Sequence, residues 1–268
     1  MYLPNVKVRN LSINSNLDIL DTLFTGKTRH DFSRLASTND YAIELLSKIK
    51  PAEGTVITAD YQWAGRGQIG SSWQAAAGSN LLMSVIFYPS FLPARASFLL
   101  NQIFSLAVSD AVGLLAGRQA AVKWPNDVYI DGKKAGGLLV QNSLQGSRMQ
   151  WSVVGIGLNV NQQDFDASLP MATSLAMAFG RSFDREVLLA GLCQTLERRY
   201  LQLRAGEQDI ILRDYLNRLY RFGEDCWYGL PSGERLWARI VGIDAFGKLR
   251  LLHAQGESSF GLKEIVFL

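Results

Sequence analysis

Apolar positions recur at helical spacing over Tyr41, Ala42, Leu45, Leu46 and Ile49, and Pro51 ends the run. Ser37, with Asp40 three positions on, forms a capping-box-like start and places the helix N-terminus at Ser37-Thr38-Asn39. Apolar runs at Thr55–Asp60 and Asn80–Tyr88 predict strands, and the long apolar run Ala94–Ala116 predicts a helix packed on the sheet. Ala121–Ile130 reads as a strand interrupted at Pro125-Asn126-Asp127, since proline cannot donate to a ladder and Asn and Asp close local turns. Asp131-Gly132 signals a hairpin into a paired strand, Lys133–Val140. Trp151–Val160 is a further strand, with Gly155, Gly157 and Asn159 on one face.

Upstream, Thr28–Leu35 is a candidate strand, residues 1–28 show little periodicity, and Asn10–Asn16 reads as turn or loop. Asp184–Arg204 and Asp209–Tyr220 are amphipathic helices. From Arg221 the texture changes to short strands and turns: Cys226–Gly229, Arg235–Ile243, Gly247–His253 and Ser258–Phe260. That pattern predicts a small β-barrel of about five strands. The expected organisation is an α/β body over residues 1–220 and a small β-domain over residues 221–268.

A chain of 268 residues can bury a substantial core. The net charge of +3 is dispersed, with no polybasic cluster, which argues against a nucleic-acid binder. Cys193 and Cys226 lack CxxC spacing, so no metal site or disulfide framework is expected. No N-terminal leader is recognised and no apolar run is expected to span a membrane, so a soluble cytoplasmic protein is predicted.

The densest chemistry lies at Gly65, Gly67 and Gly70, three glycines in six positions with Arg66 among them. Such a backbone can fold closely around an anion, presenting N–H groups and a guanidinium fork. The spacing also matches the dinucleotide fingerprint, which requires a helix opening at the third glycine and an acidic residue about 20 positions on. Residues 71–78 carry no amphipathic run, and no Asp or Glu lies between Asp60 and Asp110, so that fold is set aside. His30 and His253 sit in no motif, which leaves no Ser/His/Asp arrangement. Ser37, Thr38 and Asn39 have two readings: a plain helix cap, or a helix N-terminus that receives a small polar ligand group.

Four segments in order together resemble the biotin protein ligase family. They are Ser37-Thr38-Asn39, the Gly65-Arg66-Gly67-x-x-Gly70-x-x-Trp73 loop, Lys123-Trp124-Pro125-Asn126-Asp127 with Lys134-Ala135-Gly136-Gly137, and Gly155-Ile156-Gly157-Leu158-Asn159. The resemblance implies an α+β fold with a mixed β-sheet flanked by helices, related to class II aminoacyl-tRNA synthetases, and a small C-terminal SH3-like β-barrel. It implies an ATP-dependent ligase: biotin and ATP with Mg2+ give biotinyl-adenylate, and a lysine of a biotin carboxyl carrier protein of acetyl-CoA carboxylase or a related carboxylase then takes the biotin.

Carried over by position, Arg66 and Lys134 would be catalytic. Ser37, Thr38, Asn39 and Gln62 would contact the biotin ring system and its ureido group, Arg66, Gly67 and Gln68 would close over the ligand, and Lys134 would reach the carboxylate and the acyl-phosphate oxygens. Gly65, Gly136 and Gly137 would complete the substrate site, and Trp73, Lys123, Asn126, Asp127 and Asn159 would line the nucleotide side. No dedicated metal ligands are expected. Trp124 reads as core and the cysteines as bystanders. Many members carry arginine where this chain has Gln68 and basic residues at Ile69, Ser71 and Ser72, which implies a weaker hold on the adenylate here. The family's repressor branch has an N-terminal DNA-binding domain, for which Ser37 comes too early, so no DNA or membrane partner is expected, in a monomer or a homodimer. Lipoyl or octanoyl transfer and non-catalytic biotin binding remain the alternatives.

Overall fold

The computed structural model describes residues 7–10, as backbone, together with residues 21–68 and 70–268. An eight-stranded mixed sheet forms the body. In chain order its strands are β1 (Lys7–Asn10), β2 (Thr28–Phe32), β3 (Val56–Ala59), β4 (Leu81–Phe87), β5 (Ala121–Lys123), β6 (Asp127–Ile130), β7 (Lys133–Gln145) and β8 (Arg148–Leu158). Their spatial order is β1-β2-β3-β4-β8-β7-β6-β5, with β2 and β3 parallel and the other neighbours antiparallel.

Helices cover both faces, so β4 is buried along its whole length. On one side α1 (Thr38–Lys48) packs through Ala42 over Phe32, Ile57, Ile86 and Val153. On the other, α2 (Phe98–Ala116) meets Met83, Val85 and Phe87 of β4, and α4 (Arg185–Arg204) and α5 (Gln208–Arg218) complete the layer. The alternation along β4, with Met83, Val85 and Phe87 to one cluster and Ile86 to the other, is the period-2 consequence of a strand pleat. Emptying such a site is costly: Phe104→Ala would remove about 3–5 kcal/mol.

Most predicted elements occur, with informative differences. The strand expected over Thr28–Leu35 stops at Phe32, where the chain turns into the α1 cap. β1 is an edge strand that the weak N-terminal pattern did not announce, and it includes Asn10 of the expected turn; residues 11–16 lie outside the described ones. The Ala94–Ala116 run is, contrary to expectation, long and apolar enough to cross a membrane by length and composition. It is mostly buried against the sheet and α4, and so is the helix of a core: it opens as a 3-10 turn and closes at Gly117 with φ +75°. A short helix, α3 (Leu175–Phe179), was not anticipated.

The C-terminal segment forms a five-stranded antiparallel sheet from β9 (Asp225–Gly229), β10 (Arg235–Ile243), β11 (Leu249–His253), β12 (Gly256–Phe260) and β13 (Val266–Phe267), in the order β12-β11-β10-β9-β13. Its inner side chains Ile240, Leu249 and Leu251 join the apolar cluster of the body. The Trp124 indole N–H donates to the Gly247 carbonyl at 2.9 Å, tying the β10–β11 turn to the Lys123–Asp127 turn.

Candidate active site

Four chain segments converge on the open face of β8 and β7. Ser37 caps α1, accepting from the Asp40 N–H at 3.4 Å, and Gln62 Oε1 accepts from the Thr38 N–H at 2.7 Å. Asn39 is held at every amide atom: its Oδ1 accepts from Ser84 Oγ at 2.5 Å, and its Nδ2 donates to Gln141 Oε1 at 2.9 Å and to the Leu139 carbonyl at 3.3 Å. Ser84 also reaches Thr38 Oγ1 at 2.7 Å. The capping reading of Ser37 is therefore right locally, and the same side chains face a cavity.

The glycine loop folds on itself. Trp73 N donates to the Gly65 carbonyl at 2.9 Å, Gly67 N to the Ser71 carbonyl at 3.0 Å and Ser71 N to the Gln68 carbonyl at 2.8 Å. These bonds take up the N–H groups of Gly67, Ser71 and Trp73, while the Arg66 side chain and the hydroxyls of Ser71 and Ser72 stand on the loop beside them. A side chain at Gly65 would meet the Trp73 carbonyl oxygen at 2.4 Å, so the loop closes only because that position is bare.

Opposite the loop, a register shift in the β6–β7 ladder pairs Val128 with Gly136 and Tyr129 with Lys134, leaving Ala135 as the extra residue. The bulge turns Lys134 to the face of Asp127, and their side chains pair at 2.7 Å. Lys134 Nζ also lies 5.8 Å from the Trp73 ring centroid, within cation–π range. Asn126 Nδ2 donates to the Leu138 carbonyl, while the Leu138 N–H returns to the Asn126 carbonyl at 3.1 Å, which fixes the turn on β7.

The cavity enclosed by these segments measures about 230 Å3 and is lined by Ser37, Thr38, Asn39, Gln62, Arg66, Gly67, Gln68, Ser71, Ser72 and Trp73 on one side. Met83, Asn126, Asp127, Lys134, Gly137, Leu138, Leu139, Gly155, Ile156 and Gly157 complete it. Both cations are already partnered, Lys134 by Asp127 and Arg66 by Asp40 at 2.6 Å. The Trp73 indole N–H is buried with no hydrogen-bond partner among the described residues. Such an arrangement can hold a polar ring system against α1 and bring an anionic group between two cations.

Two of the sequence-selected residues stand behind the wall. Lys123 lies at the β5 edge, its ammonium 3.1 Å from Tyr129 Oη and 4.8 Å from the Phe267 ring centroid; burial pulls its pKa down. Asn159 is buried, donating to the Thr173 carbonyl at 3.0 Å, and its Oδ1 has no partner among the described residues. Gly65 and Gly136 shape the backbone just outside the lining; a Cβ on Gly136 would lie 2.9 Å from the Gly157 carbonyl oxygen. Ser84, Gln141 and Asp40 were not singled out as site residues by sequence reasoning. Ser84 carried a readable signal, a lone hydroxyl in a strand otherwise made of apolar residues.

Comparison with known proteins agrees with this geometry. The model of the biotin/lipoate A/B protein ligase family matches residues 32–159. The bifunctional ligase/repressor BirA of Bacillus subtilis is 33% identical over 240 residues, covering 86% of this chain and 70% of that protein. The biotin--[acetyl-CoA-carboxylase] ligase of Paracoccus denitrificans is 32% identical over 241 residues, covering 88% and 98%. The biotin protein ligase of Aquifex aeolicus, solved in complex with biotin and ATP, shares the fold with a TM-score of 0.74 at 23% identity, covering 90% of this chain and 98% of that one. This chain belongs to the biotin/lipoate A/B protein ligase family, on its biotin protein ligase branch.

Proposed function

We propose that this protein is a biotin protein ligase that activates biotin with ATP and transfers it to a lysine of a biotin carboxyl carrier protein. The reading rests on one observation: Arg66 and Lys134 line the same cavity as the polar cradle at the α1 N-terminus. A carboxylate and a polyphosphate repel each other, so joining them requires fixed positive charge and donors more than a nucleophile. In the first half-reaction a biotin carboxylate oxygen bonds to the α-phosphorus, the bond to the bridging oxygen breaks, and pyrophosphate leaves with the electron pair. In the second, the carrier amine bonds to the acyl carbon and loses a proton as AMP departs.

Within this reading, Ser37, Thr38, Asn39 and Gln62 hold the ureido end, with Ser84 and Gln141 orienting Asn39. Arg66, Gly67 and Gln68 close over the ligand, and Lys134 leaves Asp127 for the carboxylate and the acyl phosphate. Trp73, Asn126 and Asp127 line the nucleotide side, while Lys123 and Asn159 position that wall from behind. The unpaired Trp73 N–H supports a polar ligand there, since a buried donor left unpaired costs about 1–3 kcal/mol. No group of three His, Cys, Asp or Glu converges among the described residues, which suits magnesium carried in on the nucleotide phosphates with Asp127 as the carboxylate to hold it. Bound there, magnesium would screen the polyphosphate.

Residues 1–220 act as the catalytic domain and residues 221–268 as its small C-terminal partner in this account. The carrier belongs to acetyl-CoA carboxylase or a related carboxylase, in the cytoplasm. Biotin-dependent ATP–pyrophosphate exchange tests the reading, with Lys134→Ala lowering it by about 100-fold or more. Exchange driven by lipoate instead would keep the fold and overturn the substrate. Biotin binding with no exchange would favour a binder without catalysis.

A further inference from the structure

A second cavity lies on the α2 side of the sheet, where the starts of α2 and α5 meet the β10–β11 turn. It measures about 420 Å3 and shares no lining residue with the candidate active site. Phe98, Leu212, Ile243 and Phe246 give it apolar walls. Phe246 is 76% exposed, a large apolar surface left in water beside an apolar hollow.

The walls are pre-formed. A Cβ on Gly247 would lie 2.3 Å from the Phe98 ring, so the turn is seated flush on α2. Asp244 Oδ1 accepts from the Phe246 N–H at 2.8 Å and the Lys248 N–H at 2.9 Å, which closes the turn. Its Oδ2 is left without a hydrogen-bond donor among the described residues.

Other polar groups of the hollow also lack partners. Gln102 lines it at 3% exposure, and its Oε1 accepts no hydrogen bond among the described residues. A buried acceptor in that state is costly, and a donor arriving with a ligand relieves the cost. Three charged side chains line the same cavity: Arg95 in the 3-10 turn that opens α2, Asp209 in the first turn of α5, and Asp244. None of the three takes part in an ion pair among the described residues, although both signs of charge share the cavity. A cation and two carboxylates held apart around an apolar hollow match a ligand that carries both charges beside an apolar body.

We propose that this cavity binds a small zwitterion with an apolar side chain, of the class of the apolar α-amino acids. The ammonium, a group with three donors and no acceptor, is received by Gln102 Oε1 and the carboxylates of Asp209 and Asp244. Arg95 takes the ligand carboxylate, and Phe98, Leu212 and Phe246 enclose the side chain. The site is independent of the ligase reading above.

Titration of the isotope-labelled full chain with free phenylalanine tests it by NMR. The Trp124 indole N–H is the reporter, since it donates to the carbonyl of Gly247, the residue after Phe246. It should shift saturably, together with the amides of the turn, with a Kd of about 1 mM, as a ligand of this size allows. Phenethylamine, which lacks the carboxylate, should bind about two- to fivefold more weakly, the worth of an exposed ion pair. Phenylpropanoate lacks the ammonium and should bind at least about tenfold more weakly. Arg95→Gln should weaken phenylalanine by about two- to fivefold and leave phenethylamine unchanged, whereas Asp209→Asn should weaken both. Gln102→Leu should weaken both by about tenfold while the melting temperature holds or rises, because it removes a buried acceptor without a partner. No saturable shift in the wild type up to about 20 mM phenylalanine, well above the expected Kd, overturns the proposal. Phenylpropanoate binding as tightly as phenylalanine, or equal losses of phenylalanine and phenethylamine in Arg95→Gln, overturns the zwitterion assignment. Displacement of phenylalanine by saturating biotin and ATP would put it in the first cavity and overturn the proposal as well.

Discussion

A Cβ on Gly157 would lie 2.4 Å from the indole of Trp73, so the ring at the end of the glycine loop lies flush on β8 only because that position has no side chain. The neighbouring glycine on the same face, Gly155, makes room for Asn39 in the same way, at 2.2 Å from its Oδ1. One bare face of one strand therefore seats both the α1 cradle and the loop.

The variant Gly157→Ala should push Trp73 off the sheet and move the loop with it. A rigid ring cannot give way by a few tenths of an ångström against a strand, so overpacking should cost about 1–3 kcal/mol. Pyrophosphate exchange should fall about tenfold or more, with a shift in tryptophan emission. Unaltered exchange and emission in a folded Gly157→Ala protein would contradict the packing described.

Asp40 and Arg66 are both about half exposed, so their ion pair stabilises the fold little, on the order of 0.5 kcal/mol at most. Its consequence is for the loop, because Arg66 must exchange Asp40 for the ligand. Asp40→Asn should leave the urea midpoint almost unchanged and tighten biotin by about twofold in calorimetry, more at low salt than at high. Weaker biotin binding in Asp40→Asn would mean that Asp40 orients Arg66 instead of competing for it.

Asp110 is buried in α2 and faced by Arg198, Arg199 and Arg218, with Arg199 bridging on to Asp214 at 2.8 Å. Arg199→Met should destabilise the protein by about 3 kcal/mol, the low end for breaking a buried pair, since two arginines still face Asp110. Burial raises the Asp214 carboxyl, but hydrogen bonds and charge from Arg199 and Arg213 outweigh it and hold the group below the usual carboxylate value of 3.8. A depressed folded pKa contributes stability above the unfolded value and loses it as pH falls through the folded one. Wild type should therefore exceed Asp214→Asn in urea stability above about pH 3.8, and the gap should close below it. A gap that stays constant down to acid unfolding would rule out the linkage.

Much of the fold was legible because it depends on local chemistry. Ser37 before an apolar 3.6-residue repeat marks a helix start, the apolar run at 81–87 marks a strand covered on both faces, and Gly155 and Gly157 at alternate positions mark a surface that something approaches closely. The cavity residues on these elements were readable for the same reason. β1 was not, since four residues without periodicity become a strand only by finding β2 as a partner.

The sequence by itself determined the elements and the chemical groups they carry; the tertiary structure decided which of those groups meet. Lys134 shows the difference, because strand side chains alternate and a one-residue change of register sends each to the opposite face. The bulge between Val128 and Tyr129, which only the pairing of β6 with β7 creates, is what sets Lys134 beside Asp127. The same holds for Lys123, turned from the cavity by its contacts with Tyr129 and Phe267, and for Arg66 on Asp40. Local periodicity reports which face of an element is apolar, whereas contacts across long stretches of chain depend on register and packing fixed only when the whole core assembles.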